Sequence, residues 1–325
     1  MKKLRRFWDL LKKAFVSWNR NDPWAQSAVI AYYAIFSLPS LLIIVVTLAG
    51  YFFGNEAVQG RITAQIGQFI GKDTAASIQN MITNAALNNH STITIIFGVL
   101  ILLFGATGVF FRLKIAMNNI WNVAEKKATF LRMVIDRVIS LGMVLVLGFL
   151  LLLALIVSTI IRFFSDRIEN WAPVLSSIGL DIVNFVLSFV FITLLFSAIF
   201  KLLPDVKIRW KITFLGAALT TFLFLIAEYL ISFYFGQSNP GSVYGGASSI
   251  VLILLWVNYT CLIMFYGAEF TVQYALFKNE TITPNKYSEP AIYQEMERLK
   301  AKKVKLKEEK EVLDELASDE KRTYK

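Results

Sequence analysis

The chain has 325 residues, 56% of them apolar and 17% charged, with a formal net charge of +10. Soluble domains run nearer a quarter charged, and the charges here cluster between apolar runs of roughly 20 residues, which excludes a large soluble core and points to a membrane protein. A single cysteine, Cys261, and a single histidine, His90, exclude an internal disulfide and the usual zinc or iron centres, so no metal and no cofactor is expected.

The chain opens with MKKLRRFWDLLKKAFVSW. Asp9, Lys12 and Lys13 interrupt the apolar core that a cleavable signal requires. Leu4, Phe7, Trp8, Leu11, Phe15 and Trp18 recur at three- and four-residue steps, opposite the basic residues. That pattern predicts an interfacial helix within a basic arm, residues 1–27. A membrane domain of residues 28–275 follows, with six predicted spans at 28–53, 93–110, 138–161, 182–200, 212–235 and 247–275. Pro39 removes an amide donor inside the first span and is expected to kink it. Between the first two spans, Val58, Ile62, Ile66, Phe69 and Ile70 form one apolar stripe and Ile78, Met81, Ile82 and Ala85 another, read as two short amphipathic helices on the outer side. The Gly245-Gly246 pair makes the entry to the last span a hinge-like loop. From residue 276 the composition turns to Lys and Glu. Pro284 and Pro290 bracket a linker there, and Glu289–Leu316 reads as a charged helix. Ile292, Leu299, Leu306 and Leu313 fall seven apart, but Lys303 and Lys310 occupy the companion positions and weaken a coiled-coil seam, so a solvated helix is favoured. The fold class is therefore all-α: a polytopic bundle of about six transmembrane helices with amphipathic interfacial helices.

Of the 33 basic residues, 29 fall in the amino-terminal arm, the second and fourth connections and the tail; only Arg61, Lys72, Arg162 and Arg167 fall in the other connections. The alternation predicts both termini on the cytoplasmic side of the membrane; the family resemblance given below implies that this is a bacterial inner membrane. It also accounts for the positive charge through membrane lipids, the expected partner, so no nucleic acid is expected. A homo-oligomer and a cytoplasmic protein bound by the tail stay open as further partners.

Charged groups inside a span are costly and normally face a partner or a watery cavity. Glu228 falls in the outer half of span five and Glu269 in the inner half of span six. An inner cluster of Tyr32, Tyr33, Ser37, Thr107, Arg112 and Glu269 is expected, with an Arg112–Glu269 ion pair resolving two charges at once. Asn184, Glu228 and Tyr244, with Tyr234 nearby, form the outer counterpart, and Asn258 lies between. Polar groups at three depths suit a transport route; for the tyrosines, threonine and asparagines, interhelical hydrogen bonding is the competing role.

Four stretches resemble the YihY/BrkB family of bacterial inner-membrane proteins: AVIAYYAIFSLPSLLIIV at Ala28–Val45, GATGVFFRLKIAMNNIWNV at Gly105–Val123 with its Asn-x-x-Trp, LLPD at Leu202–Asp205 followed by GAALTTFLFLIAEYLISFYF, and SVYGGASSIVLILLWVNYTCLIMFYGAEF at Ser242–Phe270. Pro39 follows Leu38 directly, where the family has an intervening residue. The resemblance implies a six-helix inner-membrane protein; some members carry a ribonuclease BN label and others are called virulence factors. Phosphodiester cleavage needs a metal cluster or an acid–base set facing water, which one histidine does not supply. The expectation is a non-enzymatic transporter or flippase-like protein for an amphiphilic, anionic envelope component. A membrane scaffold for envelope biogenesis is the alternative.

Overall fold

The computed structural model describes residues 2–35, 37, 107–126, 173–238 and 248–297, with isolated helical positions in 135–149 and 299–310. In chain order the elements are α1 (Lys2–Arg20), α2 (23–35), α3 (107–120), β1 (Val123–Glu125), α4 (Pro173–Leu202), β2 (Val206–Lys207), α5 (Trp210–Ser238), α6 (Ser248–Phe277), β3 (Thr283–Pro284) and β4 (Ser288–Pro290), after which the chain is again helical over 291–297.

Three helices are long and apolar enough to cross a membrane, with windows Phe185–Leu202, Trp210–Ile231 and Ile253–Phe277. These are the last three of the six predicted spans. Most of the first three, the outer amphipathic stripes, His90, Pro39, Tyr244, Gly245 and Gly246 lie outside the described residues. The helices α4, α5 and α6 have 30, 29 and 30 residues, or about 45 Å each. That length exceeds the roughly 30 Å hydrocarbon layer and matches the roughly 40–45 Å of a whole bilayer with its headgroups. Apolar residues surround them on all sides, as burial in lipid requires. Ile182, Phe185 and Val186 of α4 and Phe222, Ile226, Leu230 and Phe233 of α5 stay exposed. Phe196, Phe200, Phe224, Cys261 and Phe265 pack into the core.

Small residues let the helices approach. A Cβ built on Gly216 of α5 would sit 1.8 Å from Thr271 Oγ1 of α6, and one on Gly267 would sit 1.7 Å from Thr220 Oγ1. The crossing is reciprocal: each helix offers a glycine and, four residues on, a threonine. Both threonines return their hydroxyls to their own helix, Thr220 to the Gly216 carbonyl at 2.8 Å and Thr271 to the Gly267 carbonyl at 2.7 Å, so no donor is stranded in the apolar interior. Between α4 and α5, the Thr193 and Thr221 hydroxyls meet at 3.0 Å.

Four boundaries differ from the sequence reading, the start of α4 at Pro173 rather than 182 among them. The first span's helix starts at Pro23 rather than 28, because Asp22 takes a positive φ of 46° and proline is pre-set for a first helical turn. The second span's helix runs past 110 to 120, where Asn122, with φ 52°, ends it. The predicted linker around Pro284 and Pro290 is instead pinned β-structure, and Ser288–Pro290 is strand where a helix from Glu289 was expected. β1 pairs antiparallel with β4 and β2 with β3; each proline ends its short strand, where a lost amide donor is tolerated.

Candidate functional site

Two polar assemblies lie at the end of the bundle where α3 and α6 finish and α4 joins α5. The first is a clasp centred on Asp205, in the connection before α5. Lys114 of α3, 1% exposed, reaches Asp205 Oδ2 at 2.8 Å and Glu125 Oε1 at 3.1 Å. Asn118, one turn along α3, donates to Asp205 Oδ2 at 3.1 Å and accepts the Asp205 backbone N–H at 2.8 Å. From beyond α6, Asn285 Nδ2 donates to Asp205 Oδ1 at 2.8 Å and Ser288 Oγ to the Asp205 carbonyl at 2.6 Å. One aspartate thus ties three chain segments together. Around it, Arg209 bridges Glu280 at 2.7 Å, Gln294 donates to the Glu125 carbonyl, and a groove of about 450 Å³ opens between Asn118, Glu125, Ala291 and Gln294.

Burial pushes the Asp205 carboxyl up, but the Lys114 ammonium and the donors from Asn285 and Asn118 outweigh it and hold the group below its usual value of 3.8. A depressed carboxylate contributes stability that is complete above the unfolded value and lost as pH falls through the folded one. The clasp is therefore expected to stay closed from neutral pH to about pH 5 and to open only below 3.8. Hydrogen exchange of the 283–290 amides checks this; opening between pH 7 and 5 would contradict it.

The second assembly joins the amino-terminal helix to span six. Leu10 and Ala14 of α1 pack on Phe270, Phe7 meets Phe270 edge to face at 5.9 Å, and Tyr266 donates to the Leu11 carbonyl at 3.2 Å. The Trp18 indole donates to the Leu262 carbonyl at 3.1 Å. Within this contact Glu269, 1% exposed, takes a hydrogen bond from Asn21 Nδ2. Gln26 Nε2 closes the turn on the Asn21 carbonyl at 2.7 Å. The helix expected to be interfacial is thus seated on protein, with only part of its apolar sector touching α6.

The expected inner cluster divides. The Arg112–Glu269 ion pair does not form: Glu269 is satisfied by Asn21, while Arg112 donates to the Tyr33 hydroxyl at 3.0 Å and lies 4.9 Å from the Tyr33 ring centroid. Tyr33 sits in the saddle of α3 between Gly108, whose Cβ would meet the ring at 3.3 Å, and Arg112 one turn on. Tyr32 is exposed with its ring edge-on to Tyr33 at 5.8 Å. Ser37 and Thr107 are buried, the Ser37 hydroxyl 3.4 Å from the Ala34 carbonyl of its own helix. Of the outer set, Glu228 is half-buried on α5 and acts electrostatically on Tyr259 of α6; Asn184 lies on α4 with its side chain outside the described residues. Asn258 is half-buried on α6. Glu228 stands about 27 Å along α5 from Trp210, and Glu269 about 12 Å along α6 from Phe277. The two carboxylates therefore occupy different depths.

Sequence reasoning missed Lys114, Asn118, Glu125, Asp205, Asn285 and Ser288 as a set, and Asn21 as the partner of Glu269. Asn118 and Asp205 stood in plain view within Asn-x-x-Trp and LLPD, and their pairing is where those two motifs meet.

Residues 14–291 match the family described as Virulence factor BrkB. A ribonuclease-like protein of Bacillus subtilis, YfkH, is 24% identical over 80% of this chain and 92% of its own length. A UPF0761 membrane protein of Tolumonas auensis is 30% identical over 48% of this chain and 49% of its own, so the chain spans about half of that relative. Another, from Pseudoalteromonas atlantica, is 25% identical over 85% of this chain and 90% of its own. No solved structure matches the chain.

Proposed function

This chain belongs to the virulence factor BrkB family of membrane proteins, and from that premise we propose that it translocates an amphiphilic, anionic envelope component across the bacterial cytoplasmic membrane. One observation carries the reading: a fully buried glutamate in a spanning helix is satisfied by a separate amphipathic helix. A carboxylate placed there for packing alone costs more than an apolar residue would. Its partner follows an amphipathic helix that packs on span six, and movement of α1 exposes Glu269 to a passing headgroup or proton. Glu228, at another depth, provides a second polar station. Both termini are assigned to the cytoplasm because the arm, the 201–211 connection and the tail carry the basic excess.

Reconstituted protein is the test, following a fluorescent anionic lipid across vesicle walls. Glu269→Gln is expected to slow translocation at least about tenfold, the scale of one lost charge-assisted hydrogen bond, and Glu228→Gln to slow it as well. Wild-type rates in both variants would remove the carboxylates from the mechanism.

A second reading, a membrane scaffold without transport, draws on the clasp, which ties the start of the charged tail to the bundle instead of leaving it loose. It predicts that removing Glu289–Lys325 abolishes function while the glutamate variants act normally. The ribonuclease label of one relative is disfavoured for this chain, whose sequence holds a single histidine.

A further inference from the structure

The amino-terminal helix has two working faces. Leu10, Ala14, Trp18 and Asn21 follow one another at steps of three and four and turn toward α6, where Leu10 and Ala14 are buried. Arg5, Trp8, Lys12 and Phe15 also follow at steps of three and four, on another face, and all four are exposed; Trp8 is 59% and Phe15 55% exposed. The helix carries seven basic residues and one acidic residue, Asp9. Its contacts on α6 run from Leu262 to Phe270, and Phe270 lies about 10 Å from the end of that helix at Phe277. Since α6 matches a whole bilayer with headgroups, the Phe270 level, met by Phe7, Leu10 and Ala14, is the boundary between acyl chains and headgroups, and α1 inclines from there toward Leu262, about 22 Å from Phe277. Interleaved aromatic and basic residues at that depth match the chemistry of an anionic lipid surface.

We infer that α1 is seated by anionic lipid headgroups on its Arg5–Phe15 face, and that this seat holds Asn21 on Glu269. The bilayer surface therefore acts on the buried carboxylate through one rigid helix. Trp8 and Phe15 enter the boundary layer, and Arg5, Lys12 and Lys13 take the lipid phosphates. Asn21, one residue past the end of α1, keeps its place only while that seat holds. The inference concerns binding and position, and stands whether or not the protein translocates anything.

The experiment is hydrogen exchange of the full chain in bilayers of phosphatidylcholine alone and with added phosphatidylglycerol. Amides of residues 2–21 are expected to exchange about tenfold or more slowly in the anionic bilayer, with the difference lost at high salt and in the Lys12→Gln/Lys13→Gln variant. Amides of α4 and α5 serve as the folding control. Equal protection of α1 in both bilayers would overturn the inference, as would a variant matching wild type, because either means that α6 alone holds the helix. Trp8→Gln, an exposed position outside the α6 contacts described above, is expected to weaken α1 protection in the anionic bilayer; unchanged protection would likewise overturn it.

Discussion

Asp205→Ala is expected to lower stability by about 3 kcal/mol, the low end for breaking a buried ion pair, and the apparent thermal midpoint in detergent by roughly 6–12 °C. The physical reason is the state of Lys114. Its side chain is 1% exposed, and of the two carboxylates that meet it among the described residues Asp205, at 2.8 Å, is the nearer; Glu125 at 3.1 Å is itself partly exposed. Removing Asp205 leaves the ammonium buried with the weaker partner, and strands the side-chain amides of Asn118 and Asn285 that pointed at the lost carboxylate. A buried charge without its partner costs more than the pair contributes when intact. Asp205→Asn/Lys114→Met, which removes both charges and keeps the shape, is therefore expected to recover most of the loss. Protease should cut the 278–290 segment faster in Asp205→Ala than in the double variant. Equal midpoints for Asp205→Ala and wild type would show that the clasp contributes nothing.

Among the described glycines, Gly267→Ala is expected to be the most damaging added methyl group. Its Cβ would fall 1.7 Å from Thr220 Oγ1 and 2.8 Å from Thr220 Cβ, inside any allowed contact, and Thr220 is fully buried. The helices must separate, at a cost of about 3 kcal/mol or more, the upper range for overpacking. Gly216→Ala meets Thr271 at 1.8 Å by the same geometry. Because Glu269 is two residues beyond Gly267, the separation also displaces the carboxylate from Asn21. Thr220→Gly in the Gly267→Ala background vacates the clashing atoms, so it should restore part of the stability measured by thermal unfolding. If Gly267→Ala alone behaves as wild type, the crossing is looser than described.

The architecture was legible where periodicity and hydropathy carry it. The last three spans emerge within a few residues of their predicted inner ends, because a run of apolar residues without Lys or Arg has few alternatives in a bilayer. Span six was marked in the sequence by Glu269. The partners of the polar residues were not legible. Asn118 and Asp205 are 87 residues apart, and Asp205 and Asn285 are 80 apart; contacts of that separation depend on how the helices align, which no local pattern encodes. Counting Lys114 as one more cytoplasmic charge treated a buried ammonium as a solvated one. The Arg112–Glu269 pair failed for a related reason. Depth along a span predicts which residues share a level but not which faces meet, and α1 filled the place beside Glu269 that Arg112 was expected to take. The β-pairing of the tail was hidden because strands of two or three residues have no period to detect.

The account turns on α1 leaving Glu269 during translocation, and a reversible lock on that joint tests it most directly. Ala14 and Phe270 pack together, so cysteines at these two positions, in a Cys261→Ser background, are bridged with a bifunctional thiol reagent whose spacer carries a reducible disulfide. Lipid translocation in vesicles is then measured before and after reduction. The account predicts little translocation while the lock is closed and recovery to the rate of the Cys261→Ser protein once it is reduced. Full translocation with the lock closed would contradict it.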